Sequence, residues 1–184
     1  MTASDESPQP LNILNAMYRE VDTRANALAQ VHGARLVCRR GCCLCCVDGL
    51  TVFEVEADNI RRKHPELLAT GTPHAVGACA FLDDQGACRI YADRPYVCRT
   101  QGLPLRWLDE DDSGEFIELR DICPLNDEGD VEPIEELPED ECWSIGPFEE
   151  RLAKLQLEHG DGQLTRVPLR SLFAGQSDQS CPDG

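Results

Sequence analysis

The amino-acid sequence predicts a small α+β domain of helices and short β-hairpins organised around a cysteine and metal cluster. Three observations support this prediction. Apolar residues recur every three or four positions near both ends of the chain, which is the helical period. Two turn signatures lie between short apolar segments in the middle, as in β-hairpins. Ten of the eleven cysteines fall between Cys38 and Cys142.

Helices are predicted in three places. From Leu11 to His32 one apolar stripe runs along the segment, and Gly33 follows as a C-terminal stop. Residues 52–63 have a strand-like start followed by a helix, which Pro65 ends because the residue before a proline avoids the helical conformation. A last helix is predicted over 147–160, because it begins with proline and ends with glycine.

Two hairpins are predicted between the second and the last helix. The first joins 81–82 to 88–91 through an Asp-Asp-Gln-Gly turn. The second joins 103–108 to 116–119 around a run of acidic residues and glycine. The stretch 126–141 is acidic and contains two prolines, so we expect a loop there.

The sequence predicts one domain over residues 11–160. Residues 1–10 are polar with two prolines, and we expect a disordered N-terminal tail. Residues 161–184 are expected to be a C-terminal extension that is partly disordered. The chain has 184 residues, of which 41% are hydrophobic, and this is enough for a single core.

The net charge of −17 is concentrated in one segment. Residues 109–141, here called the acidic insert, contain 16 acidic residues and one basic residue, Arg120. This acidity argues against nucleic acid or an anionic membrane as the partner, because both favour basic surfaces. The insert could bind a basic protein partner or a cation, although a charge run is more often a solvated face.

The start of the sequence has neither the basic nor the apolar region of a signal peptide. The longest apolar stretch, residues 75–82, is shorter than the roughly 20 residues that span a bilayer. We therefore expect a cytoplasmic protein, in which thiols stay reduced. Many cysteines in a reducing compartment indicate metal binding, and an odd number fits poorly with a closed set of disulfides.

The central motif is Cys38-x3-Cys42-x2-Cys45-Cys46, which includes Cys43 as an extra member. Cysteines two to four residues apart can reach one metal ion from a single loop. Burial as small hydrophobic residues is the alternative for free cysteines, but it scarcely explains four cysteines within five positions. For Cys43, and for the two cysteines at 142 and 181, that alternative is at least as good as a ligand role.

The cysteine motifs resemble the YkgJ-type CxxCxxCC family. The resemblance covers residues 38–126 and includes Cys79-Ala-Phe-Leu and Cys88-Arg-Ile-Tyr-Ala-Asp-Arg-Pro-Tyr-Val-Cys98-Arg. That family is described as a zinc- or iron-chelating domain and includes a flagellin lysine methylase branch. Gln101 stands where relatives in one subgroup often have histidine. The resemblance implies eight chelating positions, which are Cys38, Cys42, Cys45, Cys46, Cys79, Cys88, Cys98 and Cys123.

Coordination by sulfur alone favours zinc or an iron–sulfur cluster, and the spacing does not choose between them. Eight thiolates could form two four-cysteine sites, or one four-sulfur cluster with the other thiols structural. Cys45 and Cys46 are neighbours whose side chains tend to diverge, so they could serve different sites, or only one of them could bind.

The predicted function is therefore a cytoplasmic metal-binding protein that holds zinc or an iron–sulfur cluster. The alternative is an iron–sulfur redox protein or enzyme, an oxidoreductase or a methylase-like protein, that uses the cluster in catalysis. No nucleotide or hydrolase motif is present, and no catalytic residue is assigned.

Arginines accompany the predicted ligands. Arg39, Arg89 and Arg99 each follow a cysteine directly. Arg94 lies between two of the predicted ligands, Cys88 and Cys98. A four-thiolate zinc or [4Fe–4S] site carries a charge of about −2, so our hypothesis is that these arginines support the cluster. The polar-aromatic segment 91–96 is interpreted as fixing the loop rather than facing a substrate. The four histidines are scattered and are interpreted as surface or cap residues.

Overall fold

The computed structural model describes residues 9–111, 113–128, 132–159 and 162–174. In this part of the chain five α-helices and two small sheets confirm the predicted α+β class. The helices are α1 (Pro10–Val31), α2 (Glu54–Lys63), α3 (Pro65–Thr70), α4 (Tyr96–Arg99) and α5 (Gly146–His159). The strands are β1 (Thr51–Phe53), β2 (Leu105–Glu110), β3 (Phe116–Asp121), β4 (Trp143–Ser144) and β5 (Arg166–Pro168).

The three predicted helices are confirmed. In α1 the stripe that includes Leu14, Val21 and Leu28 is buried, because residues three or four positions apart share one face of a helix. Both α1 and α3 begin with proline, whose fixed φ suits the first helical position. The short α3, which starts at Pro65, was not predicted.

A first core lies between α1, α4 and α5. Three of its aromatic residues, Tyr96, Trp143 and Phe148, lie together, with the Trp143 and Phe148 rings stacked at a centroid distance of 5.1 Å. Buried indole and phenol groups require hydrogen-bond partners. Here Trp143 Nε1 donates to the Tyr96 hydroxyl at 2.9 Å, and that hydroxyl donates to the Ile145 carbonyl at 3.2 Å.

A second core joins α2 and the β1–β5 pair to residues 79–82. Strand β5 pairs antiparallel with β1, and the buried residues Leu169, Leu172 and Phe173 follow it. Residues 162–174 of the predicted C-terminal extension therefore contribute to the fold. The remainder of that extension, with Cys181, lies outside the described residues, as do residues 1–8 of the predicted tail.

The second predicted hairpin is confirmed as β2 and β3, which pair antiparallel from Leu105 opposite Asp121 to Glu110 opposite Phe116. Strand β4 joins the other edge of β2 in parallel. The first predicted hairpin is reduced to one bridge, between Leu82 and Cys88. Its turn forms as predicted, but the chain after it enters a single 3₁₀ turn instead of a strand.

The acidic insert contains the end of β2, all of β3 and several short 3₁₀ turns. Its one basic residue, Arg120, donates to the carbonyls of Ile134 at 2.9 Å and Leu137 at 2.6 Å. A small core holds these two side chains together with Ile122 and Cys142. Most acidic side chains of the insert are exposed, which agrees with a solvated face.

A buried carboxylate connects three separate segments of the fold. Glu56 Oε1 accepts hydrogen bonds from the Tyr18 hydroxyl and the Tyr96 N–H, both at 2.8 Å, and Oε2 accepts one from the Phe53 N–H at 3.3 Å. Burial raises the pKa of Glu56, while these three donors lower it. The residue thus links α1, the start of α2 and α4.

No helix among the described residues is long and apolar enough to cross a membrane.

Replacing Glu56 with alanine should destabilise the fold by about 3 kcal/mol or more, because three buried donors lose their acceptor. Glu56→Gln should cost less, since one amide oxygen still reaches Tyr18 and Tyr96. Urea unfolding of both variants measures the difference. An alanine variant as stable as the native protein would show that this carboxylate does not hold the three segments together.

Candidate metal centre

The segment with the first cysteines has no helix or strand between residues 36 and 50. Its start is held by the buried side chain of Asn126. The amide oxygen accepts a hydrogen bond from the Val37 N–H at 3.0 Å, and the amide nitrogen donates to the Gly102 carbonyl at 2.8 Å. The same nitrogen lies 3.4 Å from Cys38 Sγ. Asn126 therefore fixes where the segment enters the site.

Gly102 and Cys123 complete this end of the site. Gly102 has a φ of +93°, and a Cβ atom there would lie 2.7 Å from Cys38 Sγ. Both the positive φ and the close approach of sulfur require glycine. The Asn126 N–H donates to the Cys123 carbonyl at 2.7 Å, so the same residue also orders the last predicted ligand.

The other end of the segment is tied to the chain near residue 79. The Cys79 N–H donates to the Cys46 carbonyl at 2.9 Å. Two tight turns shape the segment between its ends, with hydrogen bonds of 2.9 Å from the Cys42 N–H to the Arg39 carbonyl and from the Cys46 N–H to the Cys43 carbonyl. These turns bring its cysteines together without regular secondary structure.

Four of the eight predicted ligands form an outer thiol group, which consists of Cys38, Cys42, Cys45 and Cys123. Burial raises the pKa of Cys123, and the other three thiols of the group raise it further because a second negative charge nearby opposes ionisation. Cys38 is exposed and the other three are half-buried.

The other four predicted ligands form an inner thiol group, which consists of Cys46, Cys79, Cys88 and Cys98. Burial, together with the negative charges that the thiols of Cys79 and Cys88 would carry, raises the pKa of Cys98 to about 12. Cys79 is only 8% exposed and belongs to the second core, against which Cys46 and Cys88 pack.

The two groups meet at the neighbouring residues Cys45 and Cys46. A hydrogen bond with Cys46 lowers the pKa of Cys45 to about 6. The same hydrogen bond raises the pKa of Cys46, and burial raises it further. The two thiols therefore titrate as a pair, in which ionisation of one opposes ionisation of the other.

Arginines surround the inner group. Burial raises the pKa of both Cys79 and Cys88, and Arg89 lowers both values because its positive charge favours the thiolate. Arg94 likewise lowers the pKa of Cys88, and Arg170 lowers that of Cys79. These contacts agree with the hypothesis that arginines support a cluster, for Arg89 and Arg94.

Arg170 was missed in the sequence because it lies far along the chain from any cysteine motif. Its guanidinium pairs with Asp48 at 2.9 Å and donates to the carbonyls of His74 at 2.6 Å and Ala78 at 2.8 Å. It thereby closes the loop that leads into Cys79. Only the three-dimensional pairing of β5 with β1 brings it there.

The segment 91–96 and Arg99 have the structural role that was predicted for that segment. Arg94 Nε donates to the Cys98 carbonyl at 3.2 Å, and its NH1 donates to the Tyr91 carbonyl at 2.9 Å. Arg99 is buried and pairs with Asp22 at 2.6 Å. Both guanidinium groups thus fix the backbone around Cys98.

The protein-family model CxxCxxCC, described as "Putative zinc- or iron-chelating domain", matches residues 37–124. This segment is a CxxCxxCC domain. The match confirms the family inferred from the cysteine motifs, and it spans all eight predicted ligands. It supports metal binding in general and does not choose between zinc and iron. No curated protein and no solved structure matches the chain at a significant level.

The donors of the CxxCxxCC domain fit a thiophilic metal, because each group supplies four free thiols. As the side chains are placed, however, no three His, Cys, Asp or Glu residues within the described ranges form a group that could hold a metal ion. Binding would require the thiols of a group to draw closer. The eight-ligand assignment therefore remains a prediction.

The remaining cysteines differ from these eight. Cys43 is exposed, and its Sγ would lie 3.4 Å from a Cβ atom at Gly86, so it faces the turn of the first predicted hairpin. Cys142 is fully buried in the small core of the acidic insert, with its Sγ 3.9 Å from an Arg120 nitrogen. Both positions agree with non-ligand roles.

The four histidines contact groups other than the predicted ligands, in agreement with surface or cap roles. Their ring nitrogens lie within 3.4 Å of the Glu141 carbonyl for His32, Asp93 for His64, the Ala75 carbonyl for His74 and Asp58 for His159.

A cleft of about 260 Å³ borders the outer thiol group of the CxxCxxCC domain. Cys45 and Cys123 are among its lining residues, and Gln101 lines it from an exposed position. A small molecule or hydrated ion can therefore reach these two thiols from solvent. Sequence reasoning gave no sign of this cleft, because its walls come from three separate segments.

Replacing Asn126 with alanine should destabilise the protein by about 2 to 3 kcal/mol, because the Val37 N–H and the Gly102 carbonyl lose a buried partner. Cys38 should also become more reactive toward a maleimide, since its neighbour no longer holds it. Urea unfolding and mass-spectrometric mapping of the labelled cysteines measure the two effects.

The matched control for Asn126→Ala is Asp127→Ala, which removes an exposed neighbour whose carboxylate lies 3.4 Å from Arg35. Arg35 is buried but keeps its hydrogen bond to the Glu132 carbonyl, and Asp127 is exposed, so loss of this long ion pair should cost about 1 kcal/mol or less. Equal stability losses in the two variants would contradict the role given to Asn126.

Proposed function

We propose that this chain binds zinc or iron at two sites, each formed by four cysteine thiolates. The outer thiol group would form one site and the inner thiol group the other. The observation that carries this proposal is the placement of the thiols: Cys38 is exposed and Cys45 and Cys123 line the cleft, whereas Cys79 lies in the second core with Cys46 and Cys88 packed against it. Neighbouring thiols raise the pKa of Cys123 on the first side and of Cys98 on the second, and Cys45 contributes to both.

The chemistry of the donors supports this proposal. Four thiolates at about 2.3 Å from one ion are the usual surroundings of structural zinc, and four cysteines also hold an iron–sulfur cluster. Cys45 and Cys46 would each serve a different site. Because Cys45 and Cys46 are adjacent in the chain, the two centres would then lie side by side in the fold.

The inner site is proposed to be structural. Its thiols pack against the second core, and three arginines offset the negative charge that four thiolates would bring. Metal binding there would add directly to the free energy of folding, because an unfolded chain has no preformed site.

A reducing compartment, the cytoplasm, is part of the same proposal. All ten described cysteines are free thiols, which supports a setting in which disulfides do not form. A cluster used in redox chemistry or catalysis is the second candidate. The observation in its favour is the cleft beside the outer thiol group, since reactive metal sites keep one open side.

Metal and acid-labile sulfide analysis of the anaerobically purified protein tests the proposal. We expect either two zinc ions per chain without sulfide, or iron with sulfide and visible absorption. Cys42→Ser should remove the metal of the outer site only, and Cys88→Ser that of the inner site only. Cys88→Ser should also lower the thermal midpoint more, because the inner site packs against the core.

Cys43→Ser is the matched control, since Cys43 belongs to the same loop but to neither group. It should retain the full metal content. A folded native protein that contains neither zinc nor iron would end the proposal, and metal loss in Cys43→Ser equal to that in Cys42→Ser would contradict the ligand assignment.

A further inference from the structure

The two thiol groups differ in their access to solvent. In the inner group Cys79 belongs to the second core and is only 8% exposed, and the half-buried Cys46 and Cys88 pack against that core. The outer group has one exposed member, Cys38, and two that line the cleft, Cys45 and Cys123. The same loop, residues 38–46, supplies thiols to both groups. The difference in access therefore comes from where the fold places each thiol.

We propose that the outer thiol group is an exchange site, which takes up and releases a divalent cation through the cleft while the inner group keeps its metal. This inference rests on the proposed function and adds a division of roles between the two sites. The cation would approach as a hydrated ion or a cationic complex.

The walls of the cleft are suited to this role. Its apolar part includes Leu44, Leu103 and Ile122, and its polar part includes Gln101 and Asp121. A metal bound to thiolates is exchanged when incoming ligands replace the sulfurs one at a time, so the rate depends on access to the sulfurs. At the outer group that access needs no opening of a core.

The negative charge of the acidic insert also favours the approach of a cation through the cleft. Asp121 and Cys123 belong to the acidic insert, which contains 16 acidic residues and one basic residue. A field of this sign raises the local concentration of cations and repels anions. The inner group, in contrast, lies beside Arg89, Arg94 and Arg170, which disfavour the approach of a cation.

Release from the inner group would require the second core to open. Local opening of buried segments costs much more free energy than movement of an exposed loop, so exchange there should be slower by orders of magnitude. Two sites of similar sulfur chemistry in one domain would then differ in exchange rate because of burial and charge alone.

The test uses the full chain loaded with zinc and mixed with an excess of isotopically enriched zinc ion, with the exchanged zinc counted by native mass spectrometry. We expect one zinc per chain to exchange at least roughly tenfold faster than the other. Cys42→Ser should retain only slow exchange. Raising the ionic strength should slow the fast phase, because screening weakens attraction by the acidic insert.

Gln101→Trp tests the cleft without touching a predicted ligand. A bulky side chain at this exposed position should slow the fast phase several-fold, because it fills the approach to Cys45 and Cys123. Val76→Trp is the matched control, since Val76 is 85% exposed and lies outside the cleft. It should leave both phases unchanged.

The outcomes distinguish a failure of the exchange-site proposal from a failure of the proposed metal-binding function. Two bound zinc ions that exchange at one rate, or a fast phase that Gln101→Trp leaves unchanged, would overturn the exchange site alone. A folded chain that binds no zinc, and no iron after anaerobic reconstitution, would overturn the proposed function as well.

Discussion

The cysteine segment from 38 to 46 has no regular secondary structure, so hydrogen bonds at its two ends decide where its thiols lie. At one end Asn126 binds Val37 and approaches Cys38, and at the other the Cys46 carbonyl accepts a hydrogen bond from Cys79. The first contact ties the segment to the acidic insert and the second ties it to the second core. The division into an outer and an inner thiol group follows from these two attachments.

Electrostatics reinforce this division. The outer group adjoins the acidic insert, whereas the inner group lies among arginines held by carbonyl oxygens and Asp48. Thiolates beside guanidinium groups are stabilised, and a buried four-thiolate centre needs such compensation. A net charge of −17 therefore says little about the surroundings of the inner site, because most of it lies in the acidic insert.

The sequence predicted the features that depend on local spacing. The period of apolar residues predicted α1 and α5, and turn residues between apolar segments predicted the β2–β3 hairpin. Cysteine spacing pointed to the family, but not to the surroundings of each thiol, because Cys79 lies in the second core while Cys45 and Cys123 line a cleft built from separate segments. The pairing of β5 with β1, which brings Arg170 toward Cys79, depends on contacts between distant segments that no local pattern encodes.

Metal K-edge X-ray absorption of the anaerobically purified protein tests the central claim most directly. Two four-cysteine sites predict a first coordination shell of sulfur alone, with metal–sulfur distances of about 2.3 Å. An iron–sulfur centre would add short iron–iron distances to the same sulfur shell. A first shell dominated by nitrogen or oxygen ligands would contradict coordination by the eight cysteines.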